Sequence, residues 1–259
     1  TILYCIQTNC TDMMMKYINY GYELAREQNS SMNIGVFKRY EAVYHSMAGD
    51  PLPAEGLIKE CLDLFSQPTR SSNQYVLHTA ACYDEMGGIK KIRGELTEAL
   101  GCYEKAIALC EQRNVWISIS LFYTHAGEIA YWLGKYDLAR EYFEKALDVY
   151  NRIKYNARQP IAEAYMSLIL LRDGNYKSAL RYLLKAEKNA NVLKISKELG
   201  TVLRIKCEFR LAMESNPELN EVFRDHLSQH FEYYAQEGLK LLKTAKENYQ
   251  ISLLSGLSG

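Results

Sequence analysis

The stretch FYTHAGEIAYWLGKYDLAREYFEKALDVY, Phe122 to Tyr150, decides the fold. Apolar residues recur at helical spacing on both sides of Leu133-Gly134-Lys135, which predicts two amphipathic helices joined by a tight turn. Ala126, Gly127, Ala139 and Ala146 fall where the helices must approach closely. Tyr123, Tyr136 and Phe143 supply the bulk that fills the gaps.

The same pattern recurs on either side. Gly94, Gly134 and Gly174 are 40 residues apart, as are Ala99, Ala139 and Ala179, and Ala106, Ala146 and Ala186. Leu96, Tyr136 and Tyr176 align at that spacing, as do Tyr103, Phe143 and Leu183, and upstream Gly87, Gly127 and Ser167. Gly49, Ala54, Ile58 and Cys61 form a weaker copy 45 residues earlier. Glycine at the turn permits positive φ where the first helix ends. Two alanines seven apart give the second helix a smooth stripe, and the bulky residue between them fills the space opposite. One such hairpin cannot bury its apolar face, so copies must stack.

The fold class expected is therefore all-α: a right-handed α-solenoid of about five to six hairpins with a period near 40 residues. We read the chain as a single superhelical domain over residues 1–259. Residues 1–30 form a degenerate first hairpin, 31–190 the repeats, and 191–259 terminal helices or a cap. Within this plan Met13 to Arg26 is a second helix, and residues 31–66 are a repeat turning at Gly49-Asp50-Pro51-Leu52-Pro53. Residues 73–113, 115–152 and 160–190 are clear repeats, and 195–213 is a further first-type helix. Ser215-Asn216-Pro217-Glu218 is a helix start, with a cap residue, proline in the first turn and an early acid. The helix it opens is expected to run from about Glu218 to about Asn248. All five prolines (Pro51, Pro53, Pro68, Pro160 and Pro217) fall at breaks, as an all-helical chain requires. No stretch alternates with period two. The start at Thr1 and the ending Leu-Leu-Ser-Gly-Leu-Ser-Gly read as an excerpt of a longer protein.

Composition excludes several classes. The formal net charge is 0, so the chain carries no electrostatic footprint for nucleic acid or an anionic membrane. No signal peptide or membrane span is legible. The seven cysteines (Cys5, Cys10, Cys61, Cys82, Cys102, Cys110 and Cys207) are odd in number and contain no C-x-x-C pair, which points to a reducing, cytoplasmic setting without disulfides.

The columns resemble the tetratricopeptide repeat (TPR). Tyr123, Ala126, Gly127, Gly134, Tyr136, Ala139, Phe143 and Ala146 stand where that family carries its aromatic, small and glycine positions. The usual period is about 34 residues, so a period of 40 implies longer helices or loops. Long repeats with few prolines between hairpins resemble the sensor region of large bacterial LuxR-type transcription activators of the maltose-regulator class. The resemblance implies a non-enzymatic binding module that receives a protein or peptide in a concave groove, or a small-molecule inducer. It implies no cofactor, no membrane, and no direct nucleic-acid contact by this segment. Two alternatives are a free-standing or signalling-enzyme-linked TPR scaffold and a peptide-pheromone receptor. The latter calls for a helix-turn-helix or phosphatase helix bundle upstream, for which residues 1–28 are too short.

The resemblance also places the groove. The first helix of each hairpin lines it, which gives Arg39, Asp84, Lys91, Thr124, Glu128, Tyr131, Trp132, Arg172, Arg204 and Glu208. The four basic residues among them suit a peptide carboxylate or acidic side chains. Tyr131 and Trp132 offer aromatic contact.

No catalytic or metal site is expected. His226 and His230, four apart beside Asp225, lack the glutamate of H-E-x-x-H and a third ligand, and read as an exposed polar face. His45, His78 and His125 are isolated, and His125 adjoins a packing column. There is no G-x-S-x-G, P-loop or G-x-G-x-x-G motif. Lys90-Lys91-Ile92-Arg93, the compact basic run, reads as a solvated turn.

Overall fold

The structure is a computed structural model that describes residues 2, 11–65, 72–114, 118–153, 158–227, 229, 231–244, 250, 251 and 255. Among these, twelve helices and no strand occur. They are α1 (Thr11–Glu27), α2 (Ser31–Ala48), α3 (Pro51–Phe65), α4 (Asn73–Ile92), α5 (Leu96–Gln112) and α6 (Ile119–Trp132). Then follow α7 (Tyr136–Ile153), α8 (Gln159–Arg172), α9 (Tyr176–Leu193), α10 (Ser196–Ser215), α11 (Pro217–Phe223) and α12 (Phe231–Thr244). Two compact units result, Thr1–Leu133 and Gly134–Gly259.

The glycine column does what its chemistry predicts. Gly49, Gly94, Gly134 and Gly174 have φ of +85°, +77°, +74° and +74°, the left-handed region where any Cβ is strained. Pro51 and Pro53 lie in the first turn of α3, Pro160 in that of α8, and Pro217 opens α11. No hydrogen bond inside a helix is lost there. Pro68 lies outside the described residues.

In the first unit, Met14, Ile18, Gly21 and Ala25 are the buried residues of α1, forty positions before Ala54, Ile58, Cys61 and Phe65 of α3. Helix α1 thus carries the register of a second-type helix. The core joins Ala42 of α2 with Ile58, Cys61 and Phe65 of α3 and Cys82, Met86 and Ile89 of α4. Helices α4 and α5 meet where Gly87 faces Tyr103, close enough that a Cβ on Gly87 would sit 2.6 Å from the ring. The basic run after Ile89 is tied down. Lys90 pairs with Glu95 at 2.7 Å and with Glu55 at 3.5 Å, and Arg93 reaches Glu55 at 2.6 Å and Glu95 at 2.7 Å. The run clamps the α4–α5 turn onto α3.

In the second unit, α7 buries Ala139, Tyr142, Phe143, Ala146, Leu147, Val149 and Tyr150, one face of a 3.6-residue period. Phe143 stacks on Tyr165 of α8, ring centroids 5.5 Å apart. Phe209 of α10 meets Phe223 of α11 edge-on at 5.1 Å.

The single long helix expected from about Glu218 to about Asn248 is not formed. Asn216 does cap its start, its side chain accepting from the Glu218 amide at 3.0 Å, but α11 ends at Phe223 and α12 begins at Phe231. Tertiary contact explains the break. Leu227 is buried, and Arg210 Nη1 donates to its carbonyl at 3.4 Å, which draws the chain inward after about two turns.

Among the described cysteines, Cys61, Cys82, Cys110 and Cys207 are buried and Cys102 half-buried, all as free thiols. Cys5 and Cys10 lie outside the described residues. So does His230, while His226 is exposed. Among the described residues no cluster of three or more His, Cys, Asp or Glu could hold a metal ion. None of the described helices is long and apolar enough to cross a membrane.

Candidate functional site

In the first unit the first-type helices are α2, α4 and α6, and their polar residues meet in pairs. Arg39 of α2 reaches Glu85 of α4 at 3.1 Å. Its guanidinium also lies over the Tyr40 ring at 4.8 Å, and its Nε is buried with no hydrogen-bond partner. Asp84, the next residue of α4, accepts from or pairs with His125 Nδ1 of α6 at 2.7 Å. The His125 ring packs 5.3 Å from Tyr103. One α4 position seven residues on, Lys91 Nζ lies 5.8 Å from the Trp132 ring centroid of α6. Residues 84 and 91 share a helix face, as do 125 and 132, so the two contacts form rungs of one ladder.

The rungs differ in character. Arg39, Asp84, Glu85 and His125 are all half-buried. Burial pushes the Glu85 carboxyl up to about 7, with Asp84 adding to the rise and Arg39 opposing it. An acid held this way can change charge near neutrality, and Arg39 holds an uncommitted donor beside it.

Thr124 is fully buried, and its hydroxyl donates to the Ser120 carbonyl at 2.8 Å, an intrahelical bond. Glu128 is also buried, whereas Tyr131 and Trp132 are half-buried. Of the residues the sequence nominated in this unit, the structure brings Asp84, Lys91 and Trp132 onto one ladder with Arg39 beside it. Glu85 and His125 complete the pairs and were not nominated. Their signal is spacing: Asp84 to His125 and Lys91 to Trp132 are one repeat plus one residue apart.

The second unit is organised differently. Arg172 is exposed, its guanidinium 3.7 Å from the Tyr136 ring centroid. The two line an open depression of about 520 Å³ with Lys135, Asp137 and Asp173. Arg204 of α10 is only 2% exposed. Its Nε donates to Gln250 Oε1 at 2.8 Å, its Nη1 to Glu208, and its guanidinium lies 5.5 Å from the Tyr165 ring. Gln250 Nε2 donates in turn to Thr201 Oγ1 at 3.1 Å. Arg204 and Glu208 are therefore brought together, but inside the fold. Glu163 of α8, likewise fully buried, accepts from Gln159 and Asn189, each at 2.8 Å, and pairs with Lys185 at 2.9 Å.

Residues 118–191 match a family model described as tetratricopeptide repeat, and residues 79–114 match another of that description. Residues 79–114 and 118–191 thus carry tetratricopeptide repeats. Solved structures share the fold. The apo form of RapI is 14% identical, with a TM-score of 0.66 over 99% of this chain and 92% of that one. A Rap protein complexed with competence and sporulation factor is 13% identical, with a TM-score of 0.67 over 98% and 70%. Aspartyl phosphate phosphatase F from Bacillus subtilis is 13% identical, with a TM-score of 0.66 over 99% and 66%. At such identities the likeness shows the fold, an all-α solenoid of TPR-like hairpins. No curated protein matches the chain by sequence.

Proposed function

We propose that this chain is a non-catalytic TPR module that captures a segment of a protein or peptide partner on the first-helix face of its first unit. The observation that carries this reading is the ladder from α2 through α4 to α6: Arg39 with Glu85, Asp84 with His125, and Lys91 with Trp132. Half-buried charges, already desolvated in part and held on rigid helices, can exchange an internal partner for a ligand group at low cost. Arg39 and Lys91 suit carboxylates, and Trp132 supplies an apolar and cation-binding surface. We read the Asp84–His125 pair as part of the recognition face. A Rap protein of the same fold forms a complex with competence and sporulation factor, which supports a peptide or protein ligand here.

The role we propose for this capture is regulatory. Of the regulatory settings, the 40-residue period favours the sensor region of a LuxR-type transcription activator, with a protein or an inducer as the signal. A P-loop upstream and a helix-turn-helix downstream in the full-length gene support that setting, and their absence removes it while leaving the binding module intact.

Selection from a random linear peptide library on the immobilised chain tests the module itself. Enriched peptides should lose binding roughly tenfold or more with Arg39→Glu plus Lys91→Glu, with helicity by circular dichroism unchanged. Peptides that bind the double variant equally well place the ligand elsewhere.

A further inference from the structure

Helices α7 and α9 are successive second-type helices of the second unit, and both pack on α8. Their outward columns are forty residues apart and opposite in charge. Where α7 exposes Asp137, Glu141 and Asp148, α9 exposes Lys177, Arg181 and Lys188, and Lys145 and Lys185 occupy the fourth column. Helix α9 carries four basic residues and one acid, Glu187, which Lys206 of α10 engages. Helix α7 carries three basic residues and four acids.

The exposed charges of α7 are largely offset within the helix, whereas those of α9 are not. Glu141 pairs with Lys145 and Asp148 with Arg152, each at 2.7 Å and one helical turn apart, and Asp137 sits at the positive end of the helix dipole. On α9, Lys177 stands in the first turn, where the dipole disfavours a cation. Lys177, Arg181 and Lys185 repel one another at successive four-residue steps. Among the described residues only Lys185 of the four has an acidic partner, Glu163. The row runs about 16 Å along the helix from Lys177 to Lys188, at about 1.5 Å per residue, and Val192, which is 73% exposed, lies one turn beyond it. Four exposed cations on one face, one of them at the unfavourable end of the dipole and three without an acidic partner among the described residues, mark that face as shaped by a partner.

We propose that the outward face of α9 docks an acidic helical segment of a partner protein, its carboxylates spaced to meet Lys177, Arg181, Lys185 and Lys188 and an apolar side chain to meet Val192. A protein segment fits better than nucleic acid. The acidic face of α7 belongs to the same unit and opposes a phosphate surface wider than one helix, and the whole chain is neutral. This surface lies on second-type helices and does not depend on the ladder of α2, α4 and α6.

The test is fluorescence anisotropy with a labelled synthetic helical peptide carrying Glu at i, i+4, i+8 and i+11 and Leu at i+15. It should bind the whole chain in a salt-sensitive manner. Lys177→Asp with Arg181→Glu and Lys188→Asp, the charges α7 carries, should weaken it roughly tenfold or more, from three exposed ion pairs. The same variant should gain binding to a Lys-for-Glu version of the peptide, which also reports that it is folded. If the triple variant loses helicity, Arg181→Gln alone should weaken binding roughly threefold. No binding of the acidic peptide, or binding indifferent to these substitutions, overturns the proposal. A single-stranded or duplex oligonucleotide that binds more tightly than the peptide, and is lost in the same variant, replaces it with a nucleic-acid surface.

Discussion

The two units solve the same problem in opposite ways. Both are built from hairpins with the same glycine, alanine and aromatic columns, and both place charged groups on their first-type helices. In the first unit Glu128 is buried, but the charges of the ladder are half-buried and paired across helices: Arg39 with Glu85, and Asp84 with His125. In the second, Glu163 and Arg204 are withdrawn from solvent, Glu163 with three partners and Arg204 with Gln250 and Glu208. The difference separates two uses of a polar residue on a packed helix. Groups that are buried and held by several partners fix the packing of their neighbours, whereas groups that are paired but still reachable can be recruited by a ligand.

The sharpest way to break that distinction is to remove one carboxylate from the second unit. Glu163→Ala leaves Gln159 and Asn189 without their acceptor and should cost about 3 kcal/mol, read from the urea midpoint of the second unit's transition. A loss below about 0.5 kcal/mol would show that Glu163 is not structural. Next in size, Gly87→Ala in the first unit drives a methyl into the Tyr103 ring and should cost about 2 kcal/mol. That unit's stability then resides in close helix approach rather than in its ladder.

The ladder itself should matter little to stability. Arg39→Ala should change it by at most about 1 kcal/mol, as for a partly exposed ion pair. A pH dependence is expected as well. The unfolded chain ionises Glu85 near 4.5, and the folded chain near 7. Between those values the folded state binds more protons, so this residue's contribution to stability declines as pH rises from about 4.5 to about 7 and is constant above. Glu85→Gln should remove that decline, measured as urea midpoints across the same pH window. An unaltered profile would assign the dependence elsewhere.

Much of the fold was legible because the repeat imposes each column several times. Four glycines with positive φ occupy the turn column, and the buried residues of α1 keep the forty-residue register even though that repeat is degenerate. The break between α11 and α12 was not legible. Nothing in Arg224-Asp225-His226 forbids a helix, and the decision is made by Leu227 and Arg210, a contact seventeen residues apart. The site was half legible for a related reason. Individual polar positions such as Asp84 and Lys91 stand out against apolar helices, but pairing is a property of two repeats together. Hence Glu85 does not stand out and His125 reads only as a neighbour of a packing column, and Arg204, which looks like a ligand group by position, is engaged by Gln250 from 46 residues away.

The account rests on the ladder of the first unit being the face that receives the partner. The direct measurement is the affinity, by fluorescence anisotropy, of a library-selected peptide for the chain and for two charge-reversed variants, Arg39→Glu with Lys91→Glu in the first unit and Arg172→Glu in the second. The account predicts a loss of roughly tenfold or more from the first variant and little change from the second. Equal affinity for the first variant, or a loss confined to Arg172→Glu, would contradict it.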